Sequence, residues 1–416
     1  MVRAHRQLKQ ETVLNFRLFS RHFLFHFTRV MKMNSFKDRS HKSVSIGNVR
    51  LVFLLGLFLF GRGGGPNALA AEPLPAASTN RLDRANPLLY RNAAGEIVTA
   101  TSVDEWLQRR AAILTGMQEV MGPLPGPEKR CPLDVEIHEA ADCGSYIRRY
   151  ITFSPEPKGR IPAYLLIPKK ALAAHQSFPA VLCLHPTDNE LGHKVVVGLS
   201  NKPDRDYARE LAERGYVTLA PAYPLLANYQ PNLKALGYQS GTMKAVWDNI
   251  RSLDLLESLR FVKPGKFGVI GHSLGGHNGL YTAVFDDRIQ VVVSSCGFDS
   301  FLDYMGGDIK GWTSERYMPR LLKYPLKEIP FDFHEVIAAL APRYCFVSAP
   351  FYDDNFKWRS VYQIEEAAAR IYQLYEARDH LRVEHPNCAH DFPKEMRELA
   401  YKLFDDQLRP AAPELK

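Results

Sequence analysis

A serine flanked by glycines, in the run Gly271-His272-Ser273-Leu274-Gly275, carries the strongest chemical signal in this 416-residue sequence. It follows the apolar run 267–270 and precedes a stretch of small residues in which Leu280 and Val284 recur at helical spacing. Strand, Gly-x-Ser-x-Gly and helix in that order make a tight turn that projects the serine hydroxyl beyond the sheet edge, where it can act as a nucleophile. Glycines two before and two after suit a crossing of strand and helix too crowded for side chains. A Pro-Gly turn at 264–265 sets off the strand. The competing reading is an ordinary glycine-rich strand-to-helix turn with a bystander serine.

A serine hydroxyl is a weak nucleophile at neutral pH, so it needs a base within hydrogen-bond reach and a third group to fix the tautomer of that base. In known enzymes that carry such a serine turn the partners follow the serine in the order acid, then histidine, on loops beyond strand carboxyl ends, and a resemblance to them implies the same order here. The run 344–348 leads into Ala349-Pro350-Phe351-Tyr352-Asp353-Asp354-Asn355, and 381–384 leads through His385-Pro386 to Cys388-Ala389-His390-Asp391-Phe392-Pro393. We read His390 as the base, because it comes late in the last loop and ahead of a terminal helix, and His385 as structural. Asp353 is the first choice of acid from its distance past the strand, with Asp354 as the alternative and Asp299 or Asp303 as a further variation. The bland role for Asp353 and Asp354 is a solvated turn, or a cap for the helix starting near Trp358.

Acyl transfer also needs donors for the developing oxyanion. The amide of Leu274 is one; in the loop Leu184-His185-Pro186-Thr187, Pro186 has no N–H, so Thr187 is expected to supply the other. His185 reads as a buried scaffold for that loop, and His193 and Lys194 as pocket-lining or solvent-facing. His272 fills space beside the nucleophile, and His277, one turn along the helix, lies outside the acid-base position.

These side chains must be positioned by an α/β architecture. From residue 178 onward, short runs apolar on both faces (180–184, 216–220, 267–270, 290–294, 344–348 and 381–384) alternate with helical stretches. That pattern predicts a mostly parallel sheet with helices on both faces. The helix over 242–259 is marked by Met243, Val246, Trp247, Ile250, Leu253 and Leu256. Upstream, 132–139, 146–153 and 161–167 read as antiparallel strands separated by turn formers. Before them a helix runs over 103–121, with Trp106, Ala111, Ile113, Leu114 and Met117 near one face, until Gly122-Pro123 ends it. The insertion 297–342 exceeds a simple crossover and is expected to form a lid or pocket wall.

The net charge of +8 is misleading: residues 1–70 hold twelve Lys and Arg against two acidic residues, leaving 41 against 43 afterwards. A nearly neutral body excludes nucleic acid as a partner. The basic stretch, the apolar run 51–60 and Ala68-Leu69-Ala70 together match a secretory signal, with the start codon possible at Met31 or Met33. Ten residues are too few to cross a bilayer, so no stable span is expected and the protein is expected to be exported. Residues 71–100, rich in Ala, Pro and Asn, read as a linker or loosely packed arm, followed by one domain over 101–416. The six cysteines lack metal-ligand spacing; Cys183, Cys296 and Cys345 read as buried hydrophobes, and Cys131 with Cys143 as a possible disulfide.

With these loops in place, the chain resembles the α/β-hydrolase superfamily and, within it, the dienelactone hydrolase and acetyl xylan esterase-like group. The resemblance covers about residues 100–410 and is carried by Cys183-Leu184-His185-Pro186, Ala212-Glu213-Arg214-Gly215-Tyr216-Val217, the Gly271–Gly276 run, Ala341-Pro342-Arg343 and His390-Asp391-Phe392. Many relatives have His-Gly-Gly where this chain has His185-Pro186-Thr187, and dienelactone hydrolases proper place a cysteine where Ser273 stands, which disfavours dienelactone as substrate. The resemblance implies a secreted serine carboxylesterase acting on acetyl or similar groups of polysaccharide, or on a smaller ester, with no metal or organic cofactor. Phe301, Tyr304, Trp312, Tyr317 and Trp358 could stack on sugar or pack beneath a lid. The alternatives are a peptidase similar to prolyl oligopeptidase, or a binding protein that keeps the fold without catalysis; the sequence leaves the oligomeric state open.

Overall fold

A computed structural model of the chain describes residues 81–173 and 176–409. The expected signal at 1–70 and the first part of the linker, 71–80, lie outside the described residues. In chain order the strands are β1 (Leu89–Arg91), β2 (Ile97–Thr99), β3 (Glu136–Asp142), β4 (Tyr146–Phe153), β5 (Ile161–Pro168) and β6 (Phe178–Leu184). They continue with β7 (Val217–Pro221), β8 (Val262–His272), β9 (Ile289–Ser295), β10 (Tyr344–Ser348) and β11 (Leu381–Glu384). Nine of them form one sheet in the order β11-β10-β9-β8-β6-β7-β5-β4-β3. From β7 to β11 across the sheet all neighbours are parallel, while β5, β4 and β3 join antiparallel. This is the mostly parallel sheet with antiparallel N-terminal strands that the hydrophobic patterning predicts.

Alternation along the central strands explains the two covered faces. Val181, Cys183, Val291 and Val293 pack with the helices Tyr207–Glu213 and Lys394–Leu408. Ala180, Leu182, Leu184 and Val292 point the other way, into the core shared with Gly241–Ser258 and Leu274–Phe285. Both sets are apolar because neither face meets water. The helix Gly241–Ser258 is enclosed more fully than an amphipathic stripe requires: Lys244 is completely buried, paired with Glu156 at 3.0 Å and with Asp248.

After β6 the chain builds β7 on one side and then β8 on the other, so the direction of winding reverses between β6 and β8. The loops leaving their carboxyl ends diverge and open a crevice there, as is general for open α/β sheets. The turn at 264–265 is accommodated inside β8, where Gly265 has φ +76° and the register against β6 jumps from Phe178↔Val262 to Ala180↔Phe267.

The helix Val103–Met121 begins at a capping box between Ser102 and Glu105 and ends at Gly122, with Trp106, Ile113 and Met117 buried; Ala111 is exposed. Residues 81–100 depart from the linker reading. They form the antiparallel β1–β2 hairpin, and they are held by ion pairs from Arg84 to Asp332 at 2.5 Å and from Arg81 to Glu335 at 2.6 Å. The carboxylates that fix this arm lie some 250 residues downstream, so no local pattern reports them.

The Cys131–Cys143 disulfide is also corrected, since both thiols are free. Cys143 sits at the β3–β4 turn, whereas Cys131 lies against Ser154 at the far end of β4. Eight strand residues at ~3.3 Å each separate those ends, well beyond the ~7 Å reach of a disulfide. The insertion folds as short 3₁₀ turns and the helix Phe333–Ala338, with Phe301, Trp312, Leu321 and Phe331 buried. Among the described residues no helix is long and apolar enough to cross a membrane.

Candidate active site

Ser273 ends β8 and caps the helix Leu274–Phe285 with φ 54° and ψ −119°, a backbone conformation that L-residues avoid. Packing forces it. A Cβ on Gly275 would stand 2.0 Å from the Leu184 carbonyl oxygen, and one on Gly271 would stand 2.2 Å from Gly275. The Ser273 amide donates to the Ser295 carbonyl at 2.8 Å, and the Ser273 carbonyl accepts from the amides of Gly276 and His277. Leu274 is the first helical residue, so its own N–H has no partner within the helix.

His390 and Asp353, 37 residues apart, meet across the loops that follow β11 and β10: Nδ1 of His390 is 2.9 Å from each carboxylate oxygen. A carboxylate only accepts, so Nδ1 carries the proton and Nε2 is left as the basic nitrogen. The Asp353 side chain is 1% exposed. Burial works against its charge, but the hydrogen bond and charge of His390 and the amides of Phe356 and Asn355 outweigh it and hold the carboxyl below its ordinary range. Asp353 thus closes its own turn as well as holding the histidine. Asp354 is exposed.

Asp299 is fully buried and serves the helix Trp358–Leu374 instead, accepting from the Lys357 amide at 3.1 Å; burial pushes its carboxyl up to about 7. The N-cap of that helix is Lys357 rather than either member of the Asp353-Asp354 pair. Asp303 borders a neighbouring cavity of about 440 Å³ together with Lys357 and Trp358.

The remaining histidines sort by their partners. His185 accepts the Tyr223 amide on Nε2 at 2.9 Å and donates from Nδ1 to the Pro186 carbonyl at 2.8 Å, so it ties the β6 loop to the β7 loop. Burial is the main reason its imidazole is pushed down to about 4. His385 bonds the Ala349 carbonyl at 2.7 Å and links the acid loop to the histidine loop. His272 is buried, 3.1 Å from the Ser295 hydroxyl, with its ring 4.9 Å from that of His390. Neither reading of His193 holds: it is completely buried against Tyr164, 5.0 Å between rings, and neither lines the site nor meets solvent, whereas Lys194 is exposed.

A cavity of about 80 Å³ brings Ser273 and Leu274 together with Thr187, His277, Tyr304, Trp312, Tyr317 and Phe356. The Thr187 hydroxyl lies 3.2 Å from that of Tyr317. Of the aromatic set, Tyr304, Trp312 and Tyr317 line this cavity, Phe301 is core, and Trp358 packs against Phe351 and His385. A larger cavity of about 590 Å³, between Arg81, Arg109, Tyr324 and Pro330, contains none of the site residues.

Two contributors have no local sequence signal. Arg205 pairs with Asp391 and donates to the His390 carbonyl at 3.3 Å, bracing the histidine loop from 185 residues away. Cys296, buried with φ 47°, donates to the Asp391 carbonyl at 3.2 Å, and its sulfur lies within 4.8 Å of ring and carboxylate atoms of His390 and Asp353.

The dienelactone hydrolase family model matches residues 161–304. YtaP of Bacillus subtilis (strain 168), provisionally named a hydrolase, is 25% identical over 275 residues, which span 64% of this chain and 88% of that protein. A glucuronoyl esterase from Solibacter usitatus is similar with a TM-score of 0.62 over 80% of this chain and 100% of its own, at 19% identity. A Bacteroides fragilis NCTC 9343 protein, provisionally titled an acetyl xylan esterase, gives 0.51 at 16% identity over 72% and 85% of the two chains. The sheet order and these likenesses establish the α/β-hydrolase fold.

Proposed function

We propose that this chain is a serine carboxylesterase acting through an acyl-enzyme, with Ser273 as nucleophile, His390 as general base and then acid, and Asp353 holding the imidazole. The observation that carries the reading is the His390–Asp353 pair at 2.9 Å, on the same edge of the sheet as a serine strained to φ 54°. His390 takes the hydroxyl proton on Nε2 as the Ser273 oxygen attacks the ester carbonyl, and the imidazolium that forms is stabilised by Asp353. The Leu274 and Thr187 amides receive the oxyanion. Collapse expels the alcohol, protonated by His390; water, activated by the same nitrogen, then releases the acid. No step requires a metal or organic cofactor.

The names of the similar solved proteins favour an ester of carbohydrate, of glucuronoyl or acetyl type, as the substrate. Residues 1–70, with the apolar run 51–60, are proposed to direct export. Purified protein is expected to hydrolyse 4-nitrophenyl acetate and to deacetylate acetylated xylan, and Ser273→Ala should abolish both. Cleavage of a proline-linked peptide amide without ester turnover would favour a peptidase, and no turnover of any of the three a binding protein.

A further inference from the structure

Two side chains that line the small cavity beside Ser273, His277 and Trp312, each carry a buried polar atom that the protein leaves without a partner. His277 is 4% exposed, and its Nδ1 lies 3.0 Å from the Gly297 carbonyl oxygen. A carbonyl can only accept, so Nδ1 carries the proton and Nε2 presents a bare lone pair. Burial, only partly offset by the bond to Gly297, pushes this imidazole down to about 4, so it is neutral at neutral pH. Its Nε2 is buried and has no hydrogen-bond partner in the protein. Trp312, 3% exposed, supplies the complementary atom: the indole Nε1–H is buried and unpaired as well. The two rings stand 4.7 Å apart, and both line the cavity that holds Ser273 and Leu274. An unsatisfied buried donor and an unsatisfied buried acceptor side by side are rare in a native interior, where such groups are nearly always bonded.

We propose that His277 Nε2 and Trp312 Nε1 form a hydroxyl-recognising subsite, in which one substrate hydroxyl donates to the histidine and accepts from the tryptophan. This rests on the ester-hydrolase reading and narrows its substrate to esters carrying a hydroxyl close to the scissile carbonyl. A hydroxyl fits because one oxygen both gives and receives; an ammonium cannot accept, and an ether or carboxylate oxygen cannot donate. The closeness follows from size: about 80 Å³ accommodates only a few non-hydrogen atoms, given ~30 Å³ per water-sized unit. Tyr304, Tyr317 and Phe356 complete an aromatic wall for the carbon that bears the hydroxyl. His277 is thus a specificity-determining residue, with no part in proton transfer at the reacting atoms.

Isosteric ester pairs test this directly. An aryl glycolate against the same aryl propionate varies the acyl side, and 2-hydroxyethyl acetate against propyl acetate varies the alcohol side, each kcat/KM being divided by the rate of hydroxide-catalysed hydrolysis. One hydroxylated member should be favoured by about 10-fold or more, since sites built to bond a hydroxyl reject analogues that lack it; the pair that responds identifies the side. His277→Leu and Trp312→Phe should each bring that ratio near one, while His277→Gln, whose amide oxygen can accept, keeps part of it. Absence of any preference in the wild-type protein, a result that needs no variant to fold, overturns the proposal, as does a preference that survives both His277→Leu and Trp312→Phe. Failure of the parent reading is distinguishable: no ester of the set is turned over and Ser273 is not labelled by a fluorophosphonate, and then both fall.

Discussion

Around Ser273 the restraints are backbone and packing, whereas around His390 they are side-chain hydrogen bonds and an ion pair. The elbow is fixed by contacts that admit no Cβ at Gly271 or Gly275 and by amide bonds to and from Ser273 itself. The histidine loop is fixed by Asp353, by Arg205 through Asp391 and the His390 carbonyl, and by Arg397, which donates to the Phe392 carbonyl at 2.7 Å. The His390 side chain remains a quarter exposed. A nucleophile must meet a carbonyl along one trajectory, which suits a rigid mount. A base that takes and returns a proton works within a hydrogen bond and tolerates a softer one.

On that contrast, substitutions in the two regions should fail differently. Asp353→Asn should leave the thermal midpoint within a few degrees of wild type yet lower kcat by about 10⁴-fold, because the imidazole loses the partner that sets its tautomer; a fall of less than 10-fold would mean that another group holds His390. Gly275→Ala should do the reverse first, costing about 3 kcal/mol of stability in urea melts as backbone moves to admit the methyl group. Unchanged stability would mean the elbow is softer than its contacts imply.

Burial distinguishes the regions in pH dependence as well. His185 and His277 are both pushed down to about 4 by burial. Between their ordinary value near 6.5 and about 4 the unfolded chain binds more protons than the folded one, so stability is complete above pH 6.5 and falls as pH drops through that window. Each contributes about 3 kcal/mol at most to that fall. The urea midpoint should therefore decline from pH 6.5 to 4, and less steeply in His277→Gln; a flat profile would contradict burial of neutral imidazoles. Smallest of all, Arg205→Ala should reduce kcat by about 10-fold with KM little changed, by loosening the loop that presents His390.

The same contrast explains what could be read in the sequence. The elbow was legible because its demands are local: strand, two glycines, serine and helix fall within about twenty residues, and the small residues are required by the crossing itself. His390 and Asp353 could be picked out as candidates only through chain order, each in a loop after an apolar strand, and it is their pairing in three dimensions that favours Asp353 over Asp354. Nothing local announces Arg205, Cys296 or the anchoring of Arg81 and Arg84, since each acts on residues 95 to 254 positions away. His193 was misplaced because a histidine beside a loop looks polar in sequence, and only the tyrosines of β4 and β5 stacked around it reveal that it is core.

The central claim, that Ser273 is a nucleophile activated by His390, is tested most directly by intact-mass and peptide analysis after exposure to a fluorophosphonate. One adduct per chain on Ser273, absent in Ser273→Ala and strongly slowed in His390→Ala, is the expected result. Ester turnover that continues with Ser273 unmodified, or an adduct that forms as fast without His390, would contradict it.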